Sequence, residues 1–254
     1  MSFFVKISFL FCIGCSSGWV IELVFRRFFS KNNPDKKWIN PGFLVGPWLP
    51  LYGFGLCLLY LLAGLERYFT IEGVYAKLIL FVIMAICMTA IEYLTGLFSI
   101  KVLKVHLWDY SDEWGNLQGI ICPRFSFFWA ILGALYYFLI HPNVLHVLDW
   151  LSENLAFTFV IGFYLGVFAI DVIYSCRILT KVRNFAREHK IVVKYDNLRY
   201  LIADSMEKRK RRRRFFLTLH SDLPMSDHLK SYLAFIKQQT ADIKEVIEQS
   251  ARKK

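Results

Sequence analysis

Residues 75–100 read YAKLILFVIMAICMTAIEYLTGLFSI, and within that run only Lys77 and Glu92 carry charge. A helix crossing the hydrocarbon core of a bilayer needs about 20 mostly apolar residues at roughly 1.5 Å each. The stretch therefore predicts a transmembrane helix with one ionisable residue well inside it. Residues 3–25, 48–65, 125–140 and 155–176 read the same way. The fold class that follows is all-α: a polytopic transmembrane bundle of about five spans, with a basic, helical cytoplasmic C-terminal tail.

Composition agrees, since 56% of the 254 residues are apolar and 17% aromatic, well away from an ordinary soluble domain. Lys and Arg balance Asp and Glu through Cys176, so the whole net charge of +11 lies beyond it. This divides the chain into a transmembrane domain, 1–176, and a basic cytoplasmic tail, 177–254. Cys12, Cys15, Cys57, Cys87 and Cys176 sit in or beside apolar runs, where thiols act as small hydrophobes. The Cys12-Ile13-Gly14-Cys15 spacing resembles a lipoprotein signal or a redox pair. Apolar sequence resuming at Trp19-Val20-Ile21, with no strand–helix pattern around it, favours one long span.

Orientation follows from where Lys and Arg cluster in the short loops. Arg26, Arg27, Lys31, Lys36 and Lys37 in the first loop, Lys101, Lys104 and Arg124 in the third, and the tail share one side. The expectation is a multi-pass protein of the cell (plasma) membrane, N-terminus outside and C-terminus cytoplasmic. Two small-residue pairs, Gly14 with Gly18 and Gly162 with Gly166, predict close helix approaches. The fourth loop, 141–154, suits a short helix lying in the outer interface.

Ionisable side chains inside spans are expensive, so each is a candidate site residue. At helical rise Glu22, Asp171 and Glu92 lie roughly 6, 9 and 13 Å from the inner interface, all in the cytoplasmic half. Glu22 can pair locally with Arg26, and Asp171 with Tyr174 or nearby backbone. Glu92 has no cation within a helical turn and is the strongest candidate. Two loops on the same side complete the site. One is stiffened by Gly42, Gly46, Pro47, Pro50, Tyr52 and Gly53 as it enters the membrane. The other carries Asp109, Tyr110, Asp112, Glu113 and Asn116 among interfacial tryptophans.

The carboxylates Asp109, Asp112 and Glu113 could face a hard cation, but they match neither an EF-hand nor a zinc pattern, so no metal and no cofactor is assigned. No catalytic residue is assigned either, because P-loop, dinucleotide and nucleophile-elbow motifs are absent from the sequence. The run Lys208, Arg209, Lys210, Arg211, Arg212, Arg213, Arg214 points to anionic inner-leaflet lipid, at about 1 kcal/mol per basic residue. Phosphate attraction alone is weak ground for nucleic acid as a partner.

Gly18-Trp19 with Glu22, Gly42-Phe43-Leu44 with Gly46-Pro47, Pro50-Leu51-Tyr52-Gly53, Glu92-Tyr93, Trp108-Asp109-Tyr110-Ser111-Asp112, Asn116 with Gly119 and Cys122, and His141-Pro142 follow one another in a specific order. In that order and spacing they resemble the Putative ABC-transporter type IV permease family of small bacterial membrane proteins, over residues 18–142. Where that pattern often has Arg, this chain has Pro41 and Ile120. The resemblance implies a permease moving an unknown substrate, powered by a separate ATPase subunit, with a homo- or hetero-oligomer expected from so few spans. Two other readings of the residues stay open. One is an intramembrane enzyme acting on a lipid or isoprenoid headgroup, and the other is a membrane sensor or assembly factor.

Overall fold

A computed structural model describes residues 2–30, 33, 36–68, 73–208 and 223–252. Helix α1, Phe3–Phe28, opens on Ser2, whose hydroxyl accepts from the Val5 amide, and closes with Arg26 and Arg27 in its last turn. Cations there complement the exposed carbonyls of the helix end. Helix α2, Pro50–Ala63, starts on a proline, which a first helical turn tolerates because its missing N–H would have no intrahelical partner. It runs into a 3₁₀ turn at Gly64–Tyr68.

Helix α3, Val74–Phe98, continues through a π-helical turn, Ser99–Leu103, and ends at Lys104 in the left-handed conformation. A two-residue strand β1, Val105–His106, and an irregular loop lead to α4, Pro123–Leu135. A second π turn, Tyr136–Ile140, joins α4 to α5, His141–Glu153. Helix α6, Phe157–Glu188, is the longest, and it is followed by strand β2, Val193–Lys194, then α7, Tyr195–Lys208, and α8, Met225–Arg252.

Among the described residues four helices are long and apolar enough to cross a membrane: Phe3–Phe28, Val74–Leu103, Pro123–Glu153 and Phe157–Glu188. Two elements differ from the sequence reading. The second expected span is the 14-residue α2, because Pro47 and Pro50 hold the preceding residues in irregular backbone. The expected interfacial helix of the fourth loop is instead an extension of α4. The π turn takes up the register change, and Pro142 falls in the first turn of α5, so the proline does not break the rod.

Helix α1 packs along α2, and glycine lets it. A Cβ at Gly14 would stand 2.8 Å from the Tyr52 carbonyl oxygen, and one at Gly18 would overlap the Tyr52 side chain. Gly162 and Gly166 face open space instead, so the close approach expected of that pair does not form. The outer surface of α6 is apolar, with Phe159, Phe163, Ile170 and Ile173 all exposed, as a lipid-facing helix requires.

A further core joins the last turns of α6 to the segments that follow it and to the end of the third loop. Leu179, Val182 and Ala186 of α6 pack with Val105, Val193, Tyr195, Leu198, Ile202, Leu229 and Tyr232. The two short strands pair in parallel, Val105 with Val193 and His106 with Lys194. Helix α6 thus runs unbroken through Cys176, and the segment after it folds back onto the third loop. In α8, Leu229 and Tyr232 are buried while Ile243 is exposed.

Candidate functional site

Four elements bring carboxylates and hydroxyls together at one end of the bundle. Glu22 on α1 pairs with Arg26 one turn on, at 2.8 Å, and its other oxygen accepts from the Tyr52 hydroxyl of α2 at 3.1 Å. Glu92 on α3 is 2% exposed and accepts from the hydroxyl of Tyr110, in the third loop, at 3.1 Å. The Trp129 side chain of α4 flanks the same carboxylate, with its ring 5.0 Å from that of Tyr52. Tyr110 in turn stacks on Phe125 at 4.3 Å. Glu22, Tyr52, Glu92 and Tyr110 therefore form one contiguous polar cluster inside an aromatic wall.

Asp171 lies elsewhere and does another job. Its carboxylate accepts from the amides of Val45 at 3.0 Å and Gly46 at 2.6 Å, the indole of Trp48 at 2.5 Å and the hydroxyl of Ser175 at 2.9 Å. Ser175, with the loop, fills the role the sequence offered to Tyr174. Four donors and, among the described residues, no cation hold this buried carboxylate, so Asp171 pins the first loop to α6. Gly46 is required here, since a Cβ would collide with the Trp48 indole. Pro47 and Pro50 bracket this indole, and Tyr52 and Gly53 follow in α2; Gly53 presses on Cys15, where a Cβ would lie 2.5 Å from the sulfur.

Asn40, which sequence reasoning passed over, organises the same loop. Its amide donates to the carbonyls of Leu44 and Val45 and its oxygen accepts from the Trp19 indole and the Gly42 amide. From below, the buried Arg199 of α7 donates to the Asn40 carbonyl at 2.5 Å and to Asp196 at 2.7 Å. Asp196 also binds Arg26 at 2.9 Å. Burial pushes the Asp196 carboxyl up, but Arg26 and Arg199 outweigh it and hold the group below the usual carboxylate range. Only a local Asp-x-x-Arg spacing hinted at this network, because its partners are far apart in the chain.

In the third loop, Asp109 accepts from the Ser111 amide and hydroxyl and pairs with Lys194 of β2 at 2.5 Å. Burial raises this carboxyl too, and the ammonium and Ser111 reverse the shift, leaving it lowered. The Asn116 amide donates to the carbonyls of Ser111 and Glu113, and its oxygen caps Gly119. Gly119 has φ +66°, and a Cβ there would sit 2.7 Å from the Ser111 hydroxyl. Glu113 pairs with Arg124, and Asp112 is exposed. Asp109 and Asn116 thus shape the loop that delivers Tyr110, and among the described residues no three His, Cys, Asp or Glu are grouped to hold a metal.

A second polar cluster, not singled out from sequence, sits at the opposite end of α2 and α4. Tyr136 and Tyr137, at the start of the π turn, are both buried, although consecutive residues of an ordinary α-helix diverge by about 100°. Tyr137 donates to Glu66 at 2.6 Å and Tyr136 bonds His141 at 2.9 Å, with Tyr60 beside the imidazole. The adjacent Tyr-Tyr pair one turn before His-Pro was the available signal. The basic run from Lys208, whose side chain is not among those described, through Arg209, Lys210, Arg211, Arg212, Arg213 and Arg214 lies outside the described residues.

The model of the family described as Putative ABC-transporter type IV matches residues 9–176. The chain belongs to that family. The match takes in α1 to α5 and the membrane-length part of α6, hence every member of the cluster around Glu92. Together with the four long apolar helices it makes the chain a membrane protein of a transporter family. No curated protein and no solved structure matches the chain.

Proposed function

We propose that this chain is the membrane-spanning permease of a transporter, moving its substrate past Glu22 and Glu92 and driven by a separate ATPase subunit. The observation that carries this reading is that two carboxylates from different apolar helices, each receiving a tyrosine hydroxyl, lie close enough to act on each other electrostatically, beneath two braced loops. Ionisable groups at such depth mark pathways more often than packing. The chain's sequence offers no nucleotide-binding motif of its own, so the driving subunit is a partner.

In this reading residues 1–176 form the membrane part, in the cell membrane of a bacterium, and residues 177–254 lie in the cytoplasm with the first and third loops. The N-terminus is outside, as the clustering of Lys and Arg supports. Asp109, Asp112 and Asn116 serve the pathway by positioning Tyr110, and Asp171 by fixing the Gly42–Gly53 approach. The basic run at 208–214 contacts anionic lipid of the inner leaflet, and two copies, or this chain with a second membrane subunit, complete the pathway.

The test is affinity purification of the full chain from its native membrane, followed by mass spectrometry. Stoichiometric recovery of an ATP-binding subunit, with transport lost in Glu92→Gln, is the expected result. Transport by the chain alone in proteoliposomes, with no partner present, would overturn it.

A further inference from the structure

Within the cluster, three of the four carboxylate oxygens of Glu22 and Glu92 are spoken for. Arg26 takes one oxygen of Glu22 and Tyr52 the other, and Tyr110 takes Oε1 of Glu92. Oε2 of Glu92 is buried and, among the described residues, has no hydrogen-bond partner. The Trp129 side chain flanks the carboxylate. The groups facing Glu92 from each packed element are Glu22 on α1, itself paired with Arg26, Tyr52 on α2, Tyr110 in the third loop and Trp129 on α4.

Arg26 is already held by Glu22 and Asp196, and among the described residues no cation pairs with Glu92. An ionised carboxylate in such surroundings costs several kcal/mol, whereas a neutral carboxyl costs far less. A hard divalent cation such as Mg²⁺ or Ca²⁺ would need six or more oxygen ligands, and one orphan oxygen in an aromatic wall cannot supply them. A single proton needs only that oxygen.

We infer that Glu92 is a proton-binding site, loaded at Oε2 and released as the pathway opens. On loading, a hydronium ion gives its proton to Oε2, an O–H bond forms there as one O–H bond of hydronium breaks, water is left behind, and the side chain passes from one negative charge to none. On opening, water reaches the carboxylate and the proton leaves to it. The cluster then alternates between the balanced Glu22–Arg26 pair alone and that pair beside one uncompensated negative charge. The chain thereby exchanges one proton per opening. The inference deepens the pathway reading and rests on it for the release step, but the loading step is measurable with neither substrate nor ATPase present.

The experiment is pH-dependent infrared difference spectroscopy on the purified full chain in lipid nanodiscs. The expected result is a protonated-carboxyl C=O band whose amplitude follows pH, retained in Glu153→Gln, lost in Glu92→Gln and shifted in frequency in Tyr110→Phe, which removes the hydrogen bond to Oε1. A band of full amplitude in Glu92→Gln, or one whose frequency ignores Tyr110→Phe, would overturn the inference. The second variant decides the matter even if the first fails to fold. Because no partner is present, the result is independent of whether an ATPase subunit is recovered.

Discussion

Arg26, in the last turn of α1, binds Asp196, in the first turn of α7, at 2.9 Å across 170 positions of chain. The same guanidinium holds Glu22, the carboxylate that receives the Tyr52 hydroxyl. One arginine therefore ties the polar cluster of the membrane helices to the segment folded beneath them.

Cutting that tie leaves a charge buried and unpaired, which typically costs about 3–5 kcal/mol. Arg26→Met should fall at the low end of that range, because both partners keep some solvent access and Asp196 retains Arg199. Thermal unfolding of the purified chain in detergent, with Asp196→Asn as second arm of a double-mutant cycle, measures the coupling. Additive losses would show that the two residues do not act together.

Asp196 also gives a pH dependence of definite sign. Its folded-state value is depressed below 3.8, so its contribution is present above that value and disappears as pH falls through the lower folded value. Acidification should loosen α7 and expose the 189–200 segment to protease before the membrane helices unfold. Equal cleavage at neutral and strongly acidic pH, with an acid-tolerant protease, would count against it.

The Asp109–Lys194 pair is weaker, since the lysine side chain is half exposed. Asp109 is lowered and Lys194 raised, the latter mainly by its hydrogen bond to Asp109. The pair therefore contributes between the two values, and is lost as pH falls through the first or rises through the second. Lys194→Met should cost no more than about 1 kcal/mol. Asp109→Asn should cost more than Lys194→Met, because the carboxylate also organises Ser111 and with it the position of Tyr110. Chemical denaturation of both variants in mixed micelles orders them.

Asp171→Asn replaces an acceptor of four hydrogen bonds by a group that must turn its NH₂ toward two of the four donors, since each carboxylate oxygen takes two. Hydrogen bonds to charged groups are worth about 1.5–3 kcal/mol each, so a loss of about 3 kcal/mol is expected. The damage should concentrate in the first loop, read as faster hydrogen exchange at Val45 and Gly46 than at Gly119.

Glycine substitutions separate contact from composition. Gly18→Ala drives a methyl into Tyr52 and should cost about 1–3 kcal/mol, while disturbing the Tyr52–Glu22 hydrogen bond. Gly162→Ala meets open space and should be neutral or stabilising by about 0.5–1 kcal/mol. Melting temperatures of the two variants in the same detergent decide the point.

The residues themselves determined the membrane character and all-α class of this chain, because the hydrophobic length needed to cross a bilayer is a local property of a run such as 75–100. They also marked Glu22, Glu92 and Asp171, since a carboxylate in an apolar helix stands out whatever surrounds it. Tertiary structure alone decided that Glu22 receives Tyr52 and Glu92 receives Tyr110 in one neighbourhood while Asp171 clamps a loop, that Gly18 rather than Gly162 admits a neighbour, and that Val193 lies beside Val105. Those outcomes depend on which helix faces turn toward one another, and that is settled by the summed packing of the whole bundle, which no single segment encodes.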